Sequence, residues 1–292
     1  MNKIPVGETI RFAYAFTFGE IGTVIGLTWI PLVINAVGAF LVERVLGDAD
    51  PAAGAALPPG FGYFALYGIV AVLLVAMVAV AITRQALGLR QGPAIAHVSL
   101  GTAELHVFGG IAGLYLLFFI FAMGLALAIV VVGGAAALLA PSKAAGEIIG
   151  AAGGSLAALA GLGAIFYAVV RLSFLFVPAS IGGGGFGLSR SWELTKGNFW
   201  RIVAVGAATA LPAMLVVFAI NLAILGPDYI ASIIAMFRDQ AHLAKYAAEQ
   251  SRMTSARMPL LLGVGLVLSP ISYGLLFAPA AFAYRALSGK PV

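Results

Sequence analysis

The densest run of potentially reactive groups in this chain lies between residues 171 and 201. Gly182, Gly184 and Gly187 match the spacing G-x-G-x-x-G, and four cations, Arg171, Arg190, Lys196 and Arg201, surround them in sequence. Backbone amides of a glycine turn at a helix N-terminus can cradle an anion. A dinucleotide site needs a strand before the glycines. Here a long apolar run precedes them, so an anion held at this place would be a lipid phosphate; the alternative is a flexible hinge flanked by ordinary positive-inside residues. Elsewhere the reactive inventory is thin: 3 histidines, 11 carboxylates and no cysteine, which excludes disulfides, thiolate metal sites and cysteine nucleophiles. His97 and Glu104 are seven apart and would share one helix face. Two turns separate them by about 10 Å, too far for one metal ion, and His106 points elsewhere, so a solvated interfacial face is expected. With no Ser-His-Asp arrangement and no H-E-x-x-H, no catalytic, cofactor-binding or metal-ligating residue is assigned, and a non-enzymatic protein is expected.

The elements that must position these groups are set by composition. Of 292 residues, 62% are hydrophobic and 9% charged, with a mean hydropathy of +1.07. Soluble domains carry about 25% charged residues. There is too little polar surface here to cover a water-soluble globule, and the chain reads as an all-α, polytopic membrane bundle forming a single domain over residues 1–292. A hydrocarbon core of about 30 Å needs roughly 20 apolar residues per helix, and six windows qualify: about 21–42, 61–82, 107–135, 148–170, 200–224 and 259–282. None alternates as a barrel strand would. Glu8, Arg11 and Glu20 interrupt the N-terminal region, so the first window is expected to be a retained helix rather than a signal peptide.

Ten of the sixteen basic residues fall on one side of these windows: Lys3, Arg11, Arg84, Arg90, Arg171, Arg190, Lys196, Arg201, Arg285 and Lys290. The positive-inside rule then places both termini in the cytoplasm of a multi-pass bacterial inner-membrane protein. The same bias accounts for the net charge of +5 without nucleic acid as a partner.

Between the windows, three amphipathic stretches on the basic side each precede a hairpin of spans: about 6–18, 94–106 and 187–199. The third places Leu188, Trp192, Thr195 and Phe199 on one face and is expected to lie flat at the headgroup boundary. Starts spaced by about 90 residues suggest a threefold repeat of interfacial helix plus hairpin. On the other side, 47–62 reads as an irregular loop rich in Ala, Pro and Gly. Residues 228–252 lack a breaker and put Ile230, Ile233, Ile234, Phe237 and Ala241 on one stripe, predicting a periplasmic amphipathic helix.

The segment Arg171-Leu-Ser-Phe-Leu-Phe-Val-Pro178-Ala-Ser-Ile, followed by Gly187-Leu-Ser-Arg190-Ser-Trp192-Glu193-Leu-Thr-Lys196-Gly197-Asn198-Phe199-Trp200-Arg201, resembles the membrane domain found beside some bacterial glycerophosphodiester phosphodiesterases and in related six-helix inner-membrane proteins. The resemblance covers about 30 residues and implies the membrane module only. No hydrophilic stretch is long enough for a barrel of about 250 residues, so phosphodiesterase activity is not carried over. After the Pro-Ala step, where that family has an acidic or bulky residue, this chain has Gly182 to Gly185.

None of the six predicted span centres carries Asp, Glu, Lys, Arg or His, which argues against ion coupling. Spans one, five and six carry prolines near the middle instead, Pro31, Pro212 and Pro270, with Asn35, Asn221, Ser269, Ser272 and Tyr273 as polar neighbours; such prolines either kink a helix whose freed carbonyl a neighbour satisfies or break helices to form a midplane site. Small residues from Gly150 and Gly154 to Gly161 line one side of the fourth span and permit close helix approach, inside the bundle or against a second copy. The expected function is an accessory or interaction module that binds membrane lipid or a membrane protein partner, a second copy included. A transporter or lipid-handling permease with its site at the mid-span prolines is the alternative.

Overall fold

The computed structural model describes residues 3–47, 61–90, 94–183, 185–239 and 242–289. Helices α1 (Val6–Gly19), α2 (Ile21–Gly47), α3 (Phe61–Ala86), α4 (Thr102–Leu138) and α5 (Lys143–Ser173) are followed by two short ones, α6 (Phe176–Gly183) and α7 (Leu188–Leu194). The chain ends with α8 (Phe199–Leu225), α9 (Pro227–Arg238) and α10 (Leu243–Ser288), and the described residues contain no strand. In lipid every backbone polar group must be satisfied within the segment, which a helix achieves.

Six stretches are long and apolar enough to cross a membrane: Ile21–Val45, Gly62–Ala86, Thr102–Leu138, Lys143–Gly183, Phe199–Leu225 and Lys245–Ser288. The protein is therefore a multi-pass membrane protein. An even number of crossings leaves both chain ends on one side, here the terminal side, with the far side opposite. Each span extends the expected window at one or both ends, because the helix continues into polar residues of the interface. α10 is the extreme case. Its 46 residues rise about 69 Å, so its first turns project beyond the bilayer on the far side. Pro31, Pro212 and Pro270 all sit inside continuous helices.

Three expectations for the connectors change. Residues 94–101 are not helical. They form a strap across α2, where a Cβ on Gly26 would lie 1.8 Å from the Ala94 carbonyl oxygen and the Trp29 indole donates to the Ile95 carbonyl at 2.8 Å. Only from Thr102 does a helix run, as the start of α4, so the repeat lacks its helix in the second copy. The far-side helix expected over 228–252 is broken. α9 stops at Arg238, where the Asp239 amide bonds back to Ala235 and the Asp239 carboxylate meets His242 Nδ1 at 2.8 Å, and α10 starts afresh at Leu243. Ala241 of the expected stripe, and residues 48–60 of the expected loop, lie outside the described residues.

α1 is not a surface helix. Ile4, just before it, is bonded to Asn198 at the start of α8, and the Tyr14 hydroxyl donates to the Ala208 carbonyl at 2.8 Å, ten residues beyond Asn198 or about 15 Å further along α8. Phe12 stacks on Phe282 at 5.0 Å, and a Cβ on Gly274 would lie 2.7 Å from Thr17. α1 thus wedges between α8 and α10, with Thr9, Ala13, Phe16 and Thr17 buried and Glu8 and Arg11 exposed. α6, apolar all round, is buried from Phe176 to Ser180, as such a helix must be.

The core sits toward the terminal side. Burial on α2 ends at Leu32, on α3 it starts at Leu74, on α4 it ends at Gly110, and on α10 it starts at Pro270. Towards the far side the same helices expose their apolar faces. Crevices of about 250 Å³ between α2 and α3, and about 360 Å³ between α8, α9 and α10, open there.

Candidate functional site

The segment that resembles a family signature folds into a hydrogen-bonded junction, not an anion cradle. Arg171, in the last turn of α5, is 6% exposed. Its Nε donates to Thr195 Oγ1 at 3.2 Å and its Nη1 to the Tyr167 hydroxyl at 3.0 Å, while Nη2 donates to the Trp192 carbonyl. The guanidinium also lies 3.9 Å from the centre of the Trp192 ring. The last carbonyls of α7 lack intrahelical donors and carry the negative end of its dipole, so a cation there needs no carboxylate. The bond is returned: Ser191 Oγ donates to the Arg171 carbonyl at 2.8 Å and accepts from the Leu175 amide at 3.3 Å. The expected lipid contact of Arg171 is thereby replaced by an internal one, because burial leaves its donors only protein partners.

The other three cations do not converge on it. Arg190 pairs at 3.5 Å with Glu193 on the exposed side of α7, and Lys196 is exposed. Arg201 donates from Nη1 to the Ile4 carbonyl at 2.8 Å. The Ile4 amide donates to Asn198 Oδ1 at 3.1 Å, so the first turn of α8 grips a fully buried residue just before α1. The glycines serve close packing. Gly187 has φ +69°, and a Cβ on it would lie 2.3 Å from the Phe176 carbonyl oxygen. A Cβ on Gly182 would lie 2.6 Å from the Tyr284 hydroxyl, and the Phe186 ring covers Gly109. Gly184 lies outside the described residues.

His97 and Glu104 are separated by the strap rather than joined by a helix. The expectation of a solvated face fails for Glu104, which is fully buried. It sits three residues past Gly101, whose amide donates to Glu104 Oε2 at 3.0 Å, and Arg84 Nη1 reaches Oε1 at 3.5 Å. A carboxylate in the first turn of a helix is favoured by the dipole, which compensates its burial. His97, on the half-buried strap, is pushed below its ordinary pKa by desolvation and by Arg90, against the opposing pull of Glu104. His106 meets the Phe186 ring edge-on at 6.1 Å. Among the described residues no group of three His, Asp or Glu could hold a metal.

The prolines also part company. Pro31 lines a cavity of about 10 Å³ with Asn35 and Tyr273, room for about one water. Pro270 is buried and Pro212 is exposed on the outer face of α8. The small residues of α5 face α4: a Cβ on Gly150 would lie 2.9 Å from the Gly133 carbonyl, and one on Gly161 would lie 2.2 Å from Leu125. That stripe is used within the chain.

A further crevice, of about 510 Å³, opens between the far ends of α2 and α10, lined by Phe40, Glu43, Arg44, Ser251, Arg252 and Ser255 among others. In sequence its signal is only the charged pair that ends the first apolar window. Taken together, these features define a multi-pass helical membrane protein whose terminal side is fastened by buried polar locks, with one apolar crevice of about 340 Å³ left between α5 and α8. Comparison with protein-family models, with curated proteins and with solved structures yields no match.

Proposed function

We propose that this chain is a non-enzymatic module of the bacterial inner membrane, with both termini in the cytoplasm, that holds phospholipid and presents the resulting surface to a membrane protein partner or a second copy. The observation that carries this is the gradient of closure. The terminal half is closed along α1, α6 and α7 and keeps one apolar crevice, of about 340 Å³ between α5 and α8, whereas the far half is open at three places, between α2 and α10, α2 and α3, and α8 and α10. In a bilayer there is no hydrophobic drive to close such gaps, so lipid fills them. The excess of Lys and Arg on the terminal side supports the orientation, and the resemblance over residues 171–201 supports the kind of module.

Purification in mild detergent followed by lipid and protein mass spectrometry tests this. Phospholipid retained in fixed ratio to the protein is expected. Folded protein that carries neither lipid nor a partner after detergent exchange refutes it. A reporter active only in the cytoplasm should work when fused before Lys3 and fail between Asp239 and His242, and the reverse pattern would overturn the orientation.

A further inference from the structure

The crevice between the far ends of α2 and α10 combines depth, charge and shape in a way that selects one class of lipid headgroup. Glu43 and Arg44 end the apolar run of α2, and Pro259, which also lines the crevice, begins that of α10. The crevice therefore stands where hydrocarbon gives way to phosphates. Its volume of about 510 Å³ is twice that of the apolar groove of about 250 Å³ on the adjoining face of α2, which Leu41, Val45 and Leu66 help to line.

Its charges are of two kinds. Arg44 and Arg252 are both exposed, and Arg44 is steadied over the Phe40 ring at 5.1 Å. Two guanidinium groups at phosphate depth match a phosphodiester, which they bind by paired N–H donors. Glu43 is half-buried, and its Oε1 accepts the Ser255 hydroxyl, which holds the carboxylate in place and leaves Oε2 as an acceptor. A carboxylate beside two arginines penalises an ordinary anionic headgroup and rewards one that brings its own cation.

We propose that this crevice binds the headgroup of a zwitterionic aminophospholipid, its phosphate between Arg44 and Arg252 and its primary ammonium on Glu43, with the acyl chains in the groove beside α2. This rests on the lipid-holding function proposed above and names the lipid class and the site.

Native mass spectrometry of the full chain in detergent, titrated with phosphatidylethanolamine, phosphatidylglycerol or phosphatidylcholine, reads it out. The wild type should prefer phosphatidylethanolamine to the other two. Glu43→Gln should reduce that preference by about fivefold, the scale of one exposed charge pair, and Arg44→Gln or Arg252→Gln should weaken all three lipids. If Glu43→Gln fails to fold, the two exposed arginine variants carry the test, with Arg238→Gln as a control outside the crevice. A wild type without headgroup preference, or variants that bind as the wild type does, overturns this assignment while lipid retention itself stands. A wild type that retains no phospholipid overturns the broader function as well. Glycerophosphoethanolamine, the headgroup without chains, is the competing probe. If it displaces the lipid at equal concentration, the site belongs to a soluble ligand and the lipid assignment falls.

Discussion

The Arg171 lock makes a prediction whose sign is more telling than its size. The guanidinium uses three edges at once, on Thr195, Tyr167 and the Trp192 carbonyl, and stacks on the Trp192 ring. Among the described residues no carboxylate lies within ion-pair distance of it. Arg171→Lys keeps the buried charge, but its three donors radiate from one nitrogen and do not span acceptors that the planar fork reaches from Nε, Nη1 and Nη2, so about two of the three bonds are lost. Two charge-assisted bonds at about 1.5 kcal/mol each, and about 1 kcal/mol of stacking, amount to a loss of about 4 kcal/mol. Arg171→Met loses every bond but also removes the cost of holding a cation away from water, a cost that often offsets the gain. The methionine variant should therefore be more stable than the lysine variant. Unfolding by SDS titration in mixed micelles, followed by circular dichroism, measures both. A lysine variant within about 1 kcal/mol of wild type, or one more stable than the methionine variant, would refute the fork as the source of the junction's strength.

The strap and its histidine yield two more. Gly26→Ala drives a Cβ into the Ala94 carbonyl, with 1.8 Å between them, so the strap must lift at a cost of about 1–3 kcal/mol; Gly22→Ala, with nothing within 4 Å, should not lose stability, and limited proteolysis at residues 94–101 should distinguish the two. His97 has a folded pKa below its ordinary 6.5, so the unfolded chain takes up the proton first as pH falls. Its contribution to stability is present above about pH 6.5 and is lost on acidification through the lowered value. Thermal melts from pH 8 to pH 5 should show a decline that His97→Gln flattens, and equal slopes would show that another group is responsible.

The spans were legible because lipid demands long charge-free helices, and composition alone reveals those. What could not be read was how polar residues at the terminal side are spent. Arg171 and Glu104 look like solvated interfacial charges in sequence, since nothing local distinguishes a buried guanidinium from an exposed one. Their burial depends on α7 folding back onto α5 and on Arg84 arriving from α3. Glycine was ambiguous for the same reason. Gly187 serves a left-handed turn, Gly26 makes room for a strap and Gly150 closes a helix seam, and all three uses leave the same letter. Residues 94–101 carried an amphipathic pattern, yet the helix starts only where Glu104 can reach back to the Gly101 amide. The crevice at Glu43 joins residues 212 positions apart, a pairing that no periodicity encodes.

The distribution of those locks follows from the solvent. Between helices in lipid, apolar surface gains nothing by association, so closure requires hydrogen bonds or close backbone approach. The terminal half has both: the Arg171 junction, the grip on Ile4, Trp29 on the strap, and glycines at α6 and α7. The far half has the α4–α5 glycine seam, the Arg257 bond to the Ile224 carbonyl that caps α8, and the Ser255–Glu43 contact. That last contact is the only one of the three that bridges α2 and α10, and it lies inside the crevice. A ligand that takes up Glu43 therefore acts on the hydrogen bond that joins α2 to α10 at the crevice, so headgroup binding and the spacing of these two helices are coupled through one carboxylate.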